Sequence, residues 1–267
     1  MPSLCESFRK EAGFVWNRMK KAGLLGMSLS EETLTEYTLY NIAVAHARTK
    51  IIIDLATKQE EAKHGADWEW WLIHGSKGLG FRVQAKRLFP SGRYQSLFDK
   101  KKGAGPYDQL DKLVRISTKE GLVPLYCFYN FPVGKGQFSA RKNPCNHWYN
   151  GPSFWGCSLA FPEEVKAKKS DELARLESIM SPWHLLVCES SKIDLVSAVQ
   201  SFLRKAGKSD QQTAPRELPP HVRRLIELGD RMREMDYPTY LGDEYWSTSS
   251  APEYISGVVL LRDLRKL

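Results

Sequence analysis

Two runs rich in aromatic and β-branched residues flank the glycine-rich segment Gly75-Ser76-Lys77-Gly78-Leu79-Gly80. Gly65-Ala66-Asp67-Trp68-Glu69-Trp70-Trp71-Leu72-Ile73 precedes it and Phe81-Arg82-Val83-Gln84-Ala85-Lys86-Arg87-Leu88 follows it. Strand, glycine turn, strand is the pattern of an antiparallel hairpin, here with a loop longer than the tightest type. Trp68, Trp70 and Trp71 read as packing residues that cover a helix, with base stacking by Trp71 as the functional alternative.

The flanks alternate between helical and strand periods. Residues 4–22 carry Phe8, Ala12, Val15 and Met19 at helical spacing, and Gly23 and Gly26 end that helix. Ser28-Leu29-Ser30-Glu31-Glu32-Thr33 supplies a serine cap and early acids for a second helix running to about Arg48. Lys50 to Leu55 reads as a strand. After the hairpin come a helix over 107–118, a strand over 123–129 and a turn-rich stretch from Gly134 to Gly156. Segments 156–161 and 183–188 read as further strands or covering segments. Ile193–Lys205 and His221–Met235 read as helices separated by a polar Lys208–Pro220 linker. The expected fold is α/β, in one domain over 1–267, with a core at 28–130 and an elaboration at 131–267.

Composition removes several classes of partner. The longest apolar run, Gly257-Val258-Val259-Leu260-Leu261, is far short of the roughly 18 residues of a membrane span. The first residues lack the basic and apolar regions of a secretory signal, so a cytoplasmic protein is expected, with no membrane partner. Five widely spaced cysteines with no CxxC pair fit reduced thiols. Cys145, His147 and Cys157 offer three zinc ligands at most, where structural zinc takes four, so buried thiols are the simpler reading.

Charge is uneven along the chain. Arg82, Lys86, Arg87, Arg93, Lys100, Lys101 and Lys102 stand against the single acid Asp99 in that segment, within a chain of formal charge +8. Such clustering is the footprint expected for a polyphosphate, or else a solvated basic loop. Phosphate-binding and hydrolase motifs are missing: Gly207-Lys208-Ser209 has Phe202 where a P-loop needs glycine, and no GxGxxG, GxSxG or HExxH occurs.

The hairpin carries the candidate chemistry. In a strand, residues two apart share a face, so Asp67 goes with Glu69 and Gln84 with Lys86. Folding the hairpin is expected to bring Glu69 near Lys86, with Asp67 at the end of the same face. Oxygen donors and an ammonium gathered in this way suit metal-assisted attack on a phosphodiester.

Asp67, followed seventeen positions later by Gln84-Ala85-Lys86, resembles the PD-(D/E)xK core of restriction-endonuclease-like nucleases. Glutamine in place of the second acid is similar to the Mrr-like branch. The phrase Glu60 to Trp71 is also similar to that of a poorly characterised bacterial family of nuclease-like proteins. The resemblance covers about residues 28–130 and implies a mixed central sheet flanked by helices. It implies Asp67 as principal ligand of Mg²⁺ or Mn²⁺, Gln84 as carbonyl ligand and a helical glutamate, Glu32 or Glu36, completing the site. Lys86 would orient the attacking water and offset charge growing on the phosphate.

Gln84 removes one negative charge, for which Glu69 or Glu32 would compensate. Arg82, Arg87, Arg93 and Lys100 to Lys102 would hold a nucleic-acid backbone beside the site. Gln109 would contact DNA or the site, or else be an exposed helix residue. Structural alternatives stand beside these roles: Glu32 at a helix N-terminus, Asp67 in a turn, Lys86 on an exposed strand face. The activity this implies is endonucleolytic DNA hydrolysis in bacterial phage defence, with RNA and homodimerisation as further possibilities. The alternative is a nuclease-derived binding module that has lost turnover.

Overall fold

The structure is a computed structural model that describes residues 2–47, 49–57, 67–98, 108–133, 138, 151–234, 255 and 257–265. Of residues 56, 57, 67 and 108 it describes the backbone alone. Lys100 to Lys102, Cys145, His147 and Glu60 to Ala66 lie outside the described residues.

The chain opens with α1 (Leu4–Leu24), capped by Ser3 and Glu6 in a reciprocal capping box, and α2 (Glu31–His46), where the Ser30 hydroxyl accepts from the Thr33 N–H. Strands β1 (Ile51–Thr57), β2 (Asp67–His74) and β3 (Lys77–Arg87) follow, then α3 (Asp108–Glu120) and β4 (Val123–Tyr129). Beyond these lie β5 (Cys157–Ala160), α4 (Pro162–Lys168), α5 (Leu173–Leu176) and β6 (Ser181–Pro182). The chain continues through α6 (Leu195–Lys205), α7 (Asp210–Thr213), β7 (Arg216–Glu217), α8 (Pro220–Glu234) and β8 (Gly257–Asp263).

Two expectations change, and one left open, strand or covering segment at 183–188, is decided for the latter. The hairpin loop is as short as such loops become: His74 pairs with Lys77, leaving Gly75-Ser76 as the turn, with Gly75 at φ +59°. Glycine is the residue that enters this left-handed region without a Cβ clash. Gly78 and Gly80 are strand residues, and a Cβ on Gly80 would lie 2.5 Å from Leu122 Cδ2 and 2.8 Å from Trp71 Cζ2. The 183–188 segment forms 3₁₀ turns rather than a strand, with Trp183 buried against Phe8 of α1. The 208–220 stretch contains α7 and β7.

The sheet runs β1-β8-β2-β3-β4-β5-β6, with β7 on the start of β3. Strand β8 is antiparallel to β1 and parallel to β2, and β3 is antiparallel to β2 and parallel to β4, so the sheet is mixed. The run Val258-Val259-Leu260-Leu261, too short for a membrane, is an interior strand buried on both faces. That position explains its unbroken hydrophobicity.

Helices α1, α2 and α6 cover one face, against Trp68, Trp70, Phe81, Val83, Leu125 and Val259. On the other, Val222 and Leu225 of α8 pack on Trp71, Ile73, Val258 and Leu260. Helix α3 also lies on this second face, over β3 and β4. Among the described residues no helix is long and apolar enough to cross a membrane.

Candidate functional site

Register decides which residues can act together. Asp67 pairs with Gln84, and Glu69 pairs with Arg82 rather than approaching Lys86. Arg82, Gln84 and Lys86 alternate onto the face covered by α3, and all three are buried. They form a polar row in an otherwise apolar interior.

The inner end of this row is closed by ion pairs. Arg82 Nη2 lies 2.5 Å from Glu120 Oε2 at the C-terminal end of α3 and 3.8 Å from Glu69 Oε2. Glu69 Oε1 also accepts from Trp71 Nε1 at 2.5 Å and lies 2.6 Å from His221 Nε2 of α8. A buried carboxylate demands such partners, because desolvation without them is expensive. Glu69, the second-choice catalytic acid, is thus held in the interior by Arg82, Trp71 and His221.

The outer end is built differently. Lys86 Nζ donates to the Ser96 carbonyl at 2.8 Å and to Gln109 Oε1 at 3.2 Å. Ser96 sits at φ +58°, a left-handed conformation unusual for a residue with a side chain. The loop bearing it is tied down where Tyr94 donates to Asn130 at 2.6 Å and Leu88 N–H to the Tyr129 carbonyl at 2.8 Å. Gln109 is thus a partner of Lys86 rather than an exposed helix residue.

The helical glutamates depart from expectation. Glu32 and Glu36 are exposed on α2. Helix α2 packs on the sheet face opposite Gln84 and Lys86: its Thr35 meets Tyr129 Oη at 2.6 Å, and its Glu31 accepts from the Arg87 N–H at 3.3 Å. Packing around the Glu36 carboxylate, with the charge of Glu32 beside it, raises its pKa above the ordinary carboxylate value. The acid that touches β3 is Glu31, in line with the buried Leu34, Thr35, Thr38 and Ile42. The phase of that apolar stripe is the signal that picks Glu31 over Glu32.

The described candidates for backbone binding are engaged within the protein. Arg82 is buried and paired, so it cannot reach a nucleic acid. Arg87 pairs with Glu31 at 3.6 Å and lies over the Phe89 ring, and Arg93 pairs with Asp171 at 2.8 Å and with Glu172. Three of the bases counted along the sequence, Arg82, Arg87 and Arg93, are thus met by acids within the protein. Trp68, Trp70 and Trp71 are buried, which leaves no indole of the hairpin for base stacking.

Cys5, Cys127, Cys157 and Cys188 are free thiols. Burial pushes the Cys127 thiol up to about 12 and raises that of Cys157, so both are unreactive core residues. Among the described residues no group of three or more His, Cys, Asp or Glu is placed to hold a metal ion.

Residues 4–258 match the family described as a family of unknown function, DUF6615. The chain belongs to DUF6615. The matching family names no nuclease, and comparison with curated proteins and with solved structures gives no match. The buried row from Glu69 to Lys86, with its partners on α3 and α8, thus lies within the stretch that defines the chain as a DUF6615 protein.

Proposed function

We propose that this DUF6615 chain is a metal-dependent nuclease hydrolysing DNA phosphodiesters on a restriction-endonuclease-like core. The observation that carries the reading is the register: Asp67 stands directly across from Gln84, with Lys86 two residues further along the same strand. The order α2, β1, β2, β3, α3, β4 matches the helix, three strands, helix and strand read from the periodicity of the sequence, in a mixed sheet flanked by helices as the resemblance implies. Strand β8 lies outside the 28–130 stretch that the resemblance covers, and it is an addition to that order.

The donor chemistry suits a hard divalent cation, since a carboxylate and an amide carbonyl are both oxygen ligands. Asp67 and Gln84 would hold Mg²⁺ or Mn²⁺, which would supply charge neutralisation at the scissile phosphate. Glu32 and Glu36 could join this set only around the end of the sheet, so the reading rests on Asp67 and Gln84. Lys86, fixed by Ser96 and Gln109, orients the attacking water and offsets negative charge on the phosphate. Defence against foreign DNA is the biological setting this implies.

Gln84 also favours a second reading, a binding module without turnover, because it leaves the site one charge short. A gel assay on plasmid, single-stranded DNA and RNA across Mg²⁺, Mn²⁺ and chelator separates the two. The nuclease reading predicts nicking that requires metal. DNA binding that is equal with and without metal, and without cleavage, supports the binding module.

A further inference from the structure

A cavity of about 660 Å³ opens between the C-terminal half of α3, the start of β4, α4 and the segment from Lys208 to Arg216. It lies apart from the Lys86 site, and the nuclease reading makes no use of it.

Two cations mark it. Gly207, at φ +76°, turns the chain after α6 and sends Lys208 inward. The Lys208 side chain is only 9% exposed, lies 3.7 Å over the Phe161 ring and pairs with Glu163. Arg216 reaches the cavity from the other side. Its guanidinium lies across Gly121, where a Cβ would overlap Nη1 at 1.3 Å, which accounts for glycine there, at φ +71°. Among the described residues, the Arg216 side chain has no hydrogen bond or ion pair. Lys208 is faced by Glu163, with the charge of Glu164 also within its reach, whereas Arg216 pairs with no acid among the described residues; Glu163 is more than half exposed, so it can turn to water when an anion arrives.

The rest of the wall is apolar, contributed by Val114, Leu122 and Pro124. The volume exceeds what a lone phosphate fills and falls in the range of small-molecule sites. We propose that this cavity binds a phosphorylated small molecule of about nucleoside monophosphate size, its phosphate bridging Lys208 and Arg216 and its body against the apolar wall. A guanidinium and an ammonium together provide charge-assisted bonds of the kind that select phosphate.

Titration calorimetry on the full chain, with adenosine 5′-monophosphate, adenosine and inorganic phosphate, tests this. The monophosphate should bind saturably and more tightly than either fragment. Arg216→Gln and Lys208→Gln should each weaken it about tenfold or more, as loss of a charged hydrogen bond implies. Lys208→Arg should retain binding. Arg216 is exposed, so its variant keeps its circular dichroism spectrum even if removal of the buried Lys208 disturbs the fold. No saturable binding at millimolar monophosphate, binding unchanged in Arg216→Gln, or inorganic phosphate binding as tightly as the monophosphate would each overturn the proposal.

Discussion

Lys86 on β3 donates to the side-chain oxygen of Gln109 in the first turn of α3, at 3.2 Å. This contact crosses from sheet to helix and, with the Ser96 carbonyl, fixes where the ammonium points. If Lys86 works on the phosphate, Gln109 is its positioning residue. Gln109→Ala should lower single-turnover cleavage by about tenfold, the order expected for one hydrogen bond to a charged group. Gln109→Glu, which keeps a side-chain oxygen to accept from Lys86, should retain cleavage. A Gln109→Ala protein that is folded and cleaves at the parent rate removes this role.

Arg82 makes the opposite kind of prediction. Its removal leaves Glu69 buried without its cation, so Arg82→Ala should cost about 3–5 kcal/mol in urea unfolding. The double variant Arg82→Leu, Glu69→Leu should recover part of that loss, because the fully buried carboxylate goes with its cation and only the partly exposed Glu120 is left unpaired. A loss of DNA affinity with unchanged stability would contradict the buried placement.

Burial lowers the pKa of His46 below its ordinary 6.5, and the charge of Arg265 adds to this. The folded state therefore resists protonation more than the unfolded chain does. Its contribution is complete above 6.5 and is lost as the pH falls through that value towards the lowered one. The urea midpoint should drop as the pH falls below 6.5, and His46→Gln should flatten that slope. A wild-type slope identical to that of the variant would rule His46 out as its source.

Gly80→Ala tests the packing between β3 and the face under α3 and α8. The added methyl would press on Trp71 and on Leu122. Overpacking of this kind costs about 1–3 kcal/mol, read as a lower urea midpoint with an unchanged m-value.

The hairpin, the early helices and β4 were readable because local period and turn chemistry decide them. β4 was expected at Val123 to Tyr129 and is found there. Non-local pairing was not readable. Nothing in Val258 to Leu261 says that a strand from the far end of the chain inserts between β1 and β2, because only register with distant segments determines it. The site divides in the same way. Spacing along β3 placed Gln84 and Lys86 on one face, whereas a wrong loop length displaced Glu69 from its true partner, Arg82. His221 and Glu120 were missed because their role arises only when α8 and α3 pack over β2 and β3. Arg82 looked like a phosphate ligand because charge counted along a chain does not reveal burial.

Metal dependence of cleavage in Asp67→Ala is the most direct test of the central claim. Parent and variant are incubated with supercoiled plasmid in Mg²⁺, Mn²⁺ or chelator, with thermal unfolding run on both to confirm that they fold. The account predicts nicking by the parent in metal alone and none by a folded Asp67→Ala protein. Cleavage that persists in chelator, or at the parent rate in that variant, would contradict it.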